Sequence, residues 1–94
     1  NNNFIVFLDQ NQDIKGHSLI VPKKHYITTI DLPSSLGSEL LDAIKNTADK
    51  FLKEKNVKGF NILQNNFSVA NQEVMHAHFH FFPRRKDDGV KVLG

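Results

Sequence analysis

The residues most able to do chemistry are His76, His78 and His80, which alternate with Ala77, Phe79 and Phe81. In an extended chain, side chains two apart share a face. Three imidazoles therefore line up at steps of about 7 Å, opposite a small and aromatic face. Packing accounts for one buried histidine more readily than for three on the same face. Two chemistries use such a row. Alternate imidazoles can present nitrogens to Zn²⁺. Alternatively, a neutral imidazole can attack phosphorus and become a covalent phosphohistidine, while its neighbours orient it, donate to phosphate oxygens and protonate a leaving group. Residue types and spacing alone leave these two readings level.

The elements that must hold this row are legible around it. Phe4-Ile5-Val6-Phe7-Leu8 reads as a strand, followed by a polar segment from Asp9 to Lys15 and a turn at Gly16. His17-Ser18-Leu19-Ile20-Val21 reads as a second strand, stopped by Pro22, and the two predict an antiparallel hairpin. Pro33-Ser34-Ser35 signals a helix start with Ser34 or Ser35 as N-cap. Leu36, Leu40, Ile44, Ala48 and Phe51, joined by Leu41 and Leu52, form one stripe of a helix running to about Lys55. Gly59 reopens extended structure over Phe60 to Asn65. A polar loop from Asn66 to Asn71 then leads to a last strand, Val74 to Phe82, closed by Pro83. The predicted class is α+β, in the order β-β-α-β-β: an antiparallel sheet covered by one main helix. The helix stripe and the Ala77, Phe79, Phe81 face are its candidate core.

Composition narrows the function classes. The 94 residues suit one domain, residues 1–94, which at this size buries roughly 60–65% of the surface its unfolded chain exposes, so a partner subunit would help. Twelve basic against ten acidic residues give a net charge of +2, without the basic stripe of a dedicated nucleic-acid binder. Lys23-Lys24 and Arg84-Arg85-Lys86 read as solvated charge, and residues 85–94 as a solvated tail. The absence of cysteine excludes disulfides and thiolate zinc sites within this chain. No apolar run approaches the ~20 residues that span a bilayer, so neither a membrane nor a nucleic acid is an expected partner and a cytoplasmic location is expected.

Two separated blocks then break the tie between metal and nucleophile. His76-Ala77-His78-Phe79-His80-Phe81-Phe82-Pro83-Arg84 resembles the signature of the histidine-triad (HIT) superfamily, His-φ-His-φ-His-φ-φ with φ apolar. Ala70-Asn71-Gln72-Glu73-Val74 before it is similar to the family's Ala-Gly-Gln-x-Val. Upstream, Gly16 to His25 looks like the family's other recurrent block, with Phe7-Leu8-Asp9 at the usual distance before it. The resemblance covers residues 4–84. The helix and strand that commonly precede Phe4 in relatives are missing, and the sequence is expected to begin inside the domain.

The resemblance implies a reaction at the α-phosphorus of a purine nucleotide containing AMP or GMP, in a homodimer, with no cofactor or metal. His78 would be the nucleophile that forms a nucleotidyl-histidine. His76 would support its orientation through a backbone contact, His80 would face the phosphate and leaving group, and His17 would complete the cluster. Asp9 lies where relatives hold the ribose hydroxyls, with Gln10 beside it, and Asn65 falls at a phosphate- and sugar-binding position. Asn71, Gln72, Glu73 and Val74 would wrap the α-phosphate with backbone N–H groups. Phe4, Ile5 and Phe7 are candidates to face the base, and His25 reads as an exposed residue just past the strand.

The family pattern is not matched everywhere. Asn71 replaces a usual Gly, a change compatible with a left-handed backbone. Glu73 stands where the phosphoramidase branch often has Ser, and a carboxylate there bears on leaving-group preference. The Lys23-Lys24-His25 block resembles the Hint branch, which implies hydrolysis of nucleoside phosphoramidates or adenylylated amines. Pro83-Arg84 is also compatible with a Fhit-type dinucleoside polyphosphate hydrolase or a nucleotidyl transferase. A non-catalytic nucleotide-binding or adaptor module is the remaining alternative.

Overall fold

The expected hairpin forms as β1 (Phe4–Leu8) paired antiparallel with β2 (Ser18–Pro22). The structure, a computed structural model, describes residues 1–92. The loop between the strands is closed by its own polar side chains. Asp9 N–H donates to the His17 carbonyl at 2.9 Å. The Gln12 amide donates to the carbonyls of Asp9 and His17 and accepts from Gly16 N–H. Gly16 is required twice over. Its φ is +89°, and a Cβ there would stand 2.8 Å from Phe51 Cε1 and 2.9 Å from Pro83 Cγ.

The other elements are α1 (Gly37–Leu52), β3 (Val57–Leu63) and β4 (Phe79–Arg85), and the sheet order is β1-β2-β4-β3 with every pairing antiparallel. The α+β class and the β-β-α-β-β order are as expected. The helix stripe covers one face of the sheet: Phe4, Ile20, Ala43, Ala48, Phe79 and Phe81 form the buried cluster, with Leu36, Leu40, Ile44 and Phe51 packed against it. Phe81 is fully buried and stacks between Phe51 and Phe60 at ring separations of 5.7 and 4.9 Å. Phe4 belongs to this face, so it does not face the site. Period two separates it from Phe7.

Element boundaries differ from the expectation at the helix, at the last strand and in the tail, and β3 runs from Val57 to Leu63 rather than from Phe60 to Asn65. Neither Ser34 nor Ser35 caps the helix. Both lie in a 3-10 turn, Ser34–Leu36, that runs directly into α1, and the helix ends at Leu52. The capping device sits earlier, where Thr28 and Asp31 form a reciprocal capping box around a 3-10 turn at Thr29–Asp31.

The last strand is Phe79–Arg85 rather than Val74 to Phe82, and Pro83 lies inside it. The β2–β4 pairing ends at Ser18↔Phe81, so Pro83 has a strand neighbour on one side only, where a missing N–H is tolerated.

The solvated tail expected over 85–94 is folded at its start. Arg84 donates to both carboxylate oxygens of Asp88 at 2.8 Å, to Asn61 Oδ1 and to the Val90 carbonyl. Arg85 donates to the Lys15 carbonyl and lies 3.6 Å from Glu54. The Asp88 carboxyl is held far below its usual range by the Arg84 guanidinium and by the backbone N–H groups of Val90 and Arg85. Leu93 and Gly94 lie outside the described residues.

Candidate active site

The face of the sheet opposite α1 opens into a cleft of about 710 Å³, a size suited to a small ligand. Its floor comes from alternate strand residues: Phe7 of β1, Leu19 and Val21 of β2, Leu63 of β3 and His80 of β4. The loop before β4 supplies Asn65, Asn71, Glu73 and Val74, and Asp9, His76 and His78 complete the lining. Leu19, Val21 and Leu63 were not singled out from sequence, although the alternation of β2 puts Leu19 and Val21 on one face.

Two pairs of ring contacts fix the imidazoles. His17 Nε2 lies 2.8 Å from His80 Nδ1, and His17 Nδ1 is 3.2 Å from the Asn11 carbonyl and 3.5 Å from Asp9 Oδ2. A carbonyl only accepts, so His17 Nδ1 carries a proton. His17 is buried behind His80, with its ring 4.4 Å from that of Phe82. Burial, then repulsion from His78 and His17, lowers the His80 pKa to about 4 against a smaller opposing pull from Asp9. His80 is therefore neutral at physiological pH.

His76 and His78 precede β4 in a segment outside the ladder. It is anchored by Ala77 N–H, which donates to the Tyr26 carbonyl at 2.6 Å. His76 Nε2 donates to the Pro22 carbonyl at 2.9 Å, and His78 Nδ1 donates to the His76 carbonyl at 2.7 Å. With Nδ1 holding the proton, a neutral His78 has its lone pair on Nε2, which has no hydrogen-bond partner among the described residues. Three of the five ring nitrogens that reach a neighbour across these contacts are thus committed to carbonyls. Among the described residues, no group of three or more His, Asp or Glu side chains is arranged to hold a metal ion.

The remaining expected site residues divide. Asp9, half-buried, accepts from Asn11 N–H through Oδ2 and is among the cleft lining, while Oδ1 makes no hydrogen bond among the described residues. Asn65 donates to the Asn71 carbonyl at 3.5 Å, across the mouth of the loop. Gln10 is exposed and does not join the lining.

Gln72 is 3% exposed and turns away from the cleft. Its amide donates to the carbonyls of Ile27 and Val74 and accepts from Phe67 N–H, which ties the loop to the body of the fold. The N–H groups of Asn71 and Gln72 are used inside the loop, on the carbonyls of Ser68 and Phe67. Those of Glu73 and Val74 make no hydrogen bond among the described residues. Asn71 adopts the left-handed conformation, φ 71° and ψ 24°, that its Gly-like position requires.

A four-stranded antiparallel sheet with one covering helix and an imidazole row over its open face is the arrangement of a histidine-triad domain. The model of the HIT domain family matches residues 1–87, and the chain belongs to that family. It is 43% identical over 88 residues to an uncharacterized HIT-like protein of Methanocaldococcus jannaschii, covering 94% of this chain and 67% of that one. It is 35% identical over 88 residues to the adenosine 5'-monophosphoramidase HNT1 of Saccharomyces cerevisiae, covering 94% of this chain and 53% of the yeast protein. The chain thus spans only about half the length of that relative. A crystal structure of a HIT family protein from Bacillus anthracis superposes with a TM-score of 0.88 at 33% identity, covering 100% of this chain and 67% of that one.

Proposed function

We propose that this chain is a nucleotide hydrolase acting at the α-phosphorus of purine nucleoside phosphoramidates or adenylylated amines. The observation that carries the reading is the His78 Nδ1–H contact to the His76 carbonyl, which leaves Nε2 as a free lone pair in the cleft. His78 Nε2 forms a bond to phosphorus, the bond from phosphorus to the leaving amine breaks, and the amine departs with the electron pair and a proton. Water then attacks phosphorus and gives a proton to His80 Nε2, and the P–Nε2 bond breaks with its electron pair returning to His78. The proton on His80 Nδ1 passes back to His17 Nε2, and the nucleoside monophosphate is released.

The His17–His80 pair supports the proton delivery. When His17 carries both ring protons, its Nε2–H donates to His80 Nδ1, and the neutral His80 offers Nε2–H to the leaving group. Passing that proton on draws the His17 proton onto His80 Nδ1. Both rings end neutral, with His17 Nδ1–H still on the Asn11 carbonyl. Asp9 beside His17 offsets the transient positive charge, and its other oxygen suits a ribose hydroxyl. The free N–H groups of Glu73 and Val74 and the Asn65 amide suit phosphate oxygens, and Phe7, Leu19, Val21 and Leu63 suit the base.

The charge in the cleft favours an amine leaving group over a polyphosphate. Asp9 and Glu73 are among the lining residues and no Lys or Arg is. Arg84, the residue compatible with a dinucleoside polyphosphate hydrolase, is committed to Asp88, Asn61 and Val90. The homodimer belongs to the same reading. Leu41 and Leu52 on α1 and Phe60 and Ile62 on the edge strand β3 leave apolar surface open for it.

The test is turnover of an adenosine phosphoramidate beside a diadenosine polyphosphate, with His78→Ala as control. The amide is expected to be cleaved faster, with an AMP adduct on His78 in quenched samples, and His78→Ala is expected to lose about 10⁴-fold or more in kcat. Cleavage of neither compound, with unchanged AMP binding by His78→Ala, refutes the hydrolase.

A further inference from the structure

His25, three residues past the end of β2, sits outside the cleft lining but not outside the site's wiring. Its Nδ1 lies 3.1 Å from His76 Nδ1, with the rings 5.1 Å apart and edge-on at 61°. His76 Nε2 already donates to the Pro22 carbonyl, so in the neutral ring Nδ1 holds the lone pair and must accept. The donor in the 3.1 Å contact is therefore His25 Nδ1–H, whether His25 is neutral or cationic.

We propose that His25 is a positioning residue that locks the tautomer and ring orientation of His76, and through the His76 carbonyl the nucleophilic tautomer of His78. The turn after β2 grips the segment ahead of β4 at three points: the Pro22 carbonyl and His25 Nδ1 hold the two nitrogens of the His76 ring, and the Tyr26 carbonyl holds Ala77 N–H. The peptide between His76 and Ala77 is thereby fixed from both sides, and its oxygen is the one that receives His78 Nδ1–H at 2.7 Å. Without the His25 donor, His76 Nδ1 has nothing to accept from, and the ring is free to turn away from Pro22. The His76 carbonyl then loses the side-chain half of its anchorage. His25 acts through His76 and touches no reacting atom.

The kinetic part of this inference rests on His78 being the nucleophile, and the spectroscopic part does not. Long-range ¹H–¹⁵N spectra of wild type, His25→Ala and His25→Asn report the protonated nitrogen of His76 and His78 directly. Asn is the informative variant because its side-chain N–H₂ reaches the place of Nδ1–H, whereas Ala removes the donor. In wild type and His25→Asn, His76 is expected as the Nε2–H form and His78 as the Nδ1–H form. In His25→Ala, both are expected to become mixtures.

On an adenosine phosphoramidate, kcat is expected to fall about five- to tenfold in His25→Ala, the size of one hydrogen bond. KM should move less than twofold, and His25→Asn should recover kcat to within threefold. Unchanged ring spectra in His25→Ala, or equal losses in the Ala and Asn variants, overturn the inference. If His25→Ala does not fold, His25→Phe keeps the bulk without the donor and is read in the same way. Absence of turnover by the wild type refutes the hydrolase alone and leaves the spectra to decide the role of His25.

Discussion

Acidification acts on His80, a half-buried imidazole packed against the buried His17. His80 titrates at about 4 in the folded chain, against 6.5 when unfolded, chiefly because burial penalises its charged form and secondarily because His78 and His17 repel a third charge. A folded-state pKa depressed below the unfolded value means that the unfolded chain takes up a proton the folded chain refuses. Above pH 7 neither state binds it and His80 has no effect on stability. Between 6.5 and about 4 stability falls with acidity, and below about 4 both states are protonated and the slope disappears. At 1.36 kcal/mol per unit the shift has an upper bound of about 3.4 kcal/mol, and solvent reaching the half-open ring screens this to about 1–2 kcal/mol.

The measurement is urea unfolding at several pH values between 7.5 and 4, for wild type and for His80→Asn. The Asn variant keeps an N–H for His17 and loses the titration. Asp88 also titrates low in the folded state, because of Arg84, but it does so in both proteins and cancels in the difference. The stability of wild type relative to the variant is expected to fall by about 1–2 kcal/mol between pH 7.5 and pH 4. A difference that stays flat over that range, or a His80 ring that titrates near 6.5 by NMR, refutes the burial argument. It would also remove the reason for routing the proton through His17.

Two further perturbations test the frame around the imidazoles. Gly16→Ala combines a left-handed φ with a Cβ at 2.8 Å from Phe51 and 2.9 Å from Pro83. It is expected to cost about 2–4 kcal/mol, read as a fall in Tm of about 10 °C or more, and a loss under about 1 kcal/mol would contradict the packing. Gln72→Met keeps the bulk of a side chain that serves Phe67, Ile27 and Val74 but leaves three part-buried backbone groups without its amide. An expected loss of about 1–3 kcal/mol in chemical denaturation, with KM rising more than kcat falls, checks its role as the anchor of the loop that lines the cleft.

The histidine row was legible because side-chain alternation is a property of extended backbone and not of pairing. His76, His78 and His80 share a face although only His80 lies in the ladder. For the same reason Phe79 and Phe81 were correctly placed under the helix stripe, and Ala77 is buried with them on the side away from the cleft. Pro83 was misread because its tolerance depends on where β2 stops, which is set by a register between segments some sixty residues apart. The solvated reading of Arg84 failed similarly. A run of basic residues does not reveal that Asp88 and Asn61 converge on one guanidinium. Gln10 and Gln72 sit next to cleft residues in the chain, yet one is exposed and the other buried behind the loop, a distinction that sequence adjacency does not carry.

The two sides of the cleft are built on opposite physical terms. On one side every imidazole is held by a carbonyl or another ring: Asn11 and His80 on His17, Pro22 and His25 on His76, and the His76 carbonyl on His78. The geometry of His78 is therefore set by the protein's own hydrogen bonds. On the other side Phe67 has φ 71° and ψ 154°, a region open essentially to glycine alone, at a cost of about 1–3 kcal/mol, and Val69 is almost wholly exposed. What holds that loop closed is the Gln72 amide, through Phe67 N–H and the Ile27 and Val74 carbonyls. With the strained Phe67 on one side of this anchor, the loop that carries Glu73 and Val74 is expected to open before the imidazole side does. Under the proposed function, His78 keeps its Nε2 lone pair in place while this loop adjusts to different leaving groups at Glu73 and Val74.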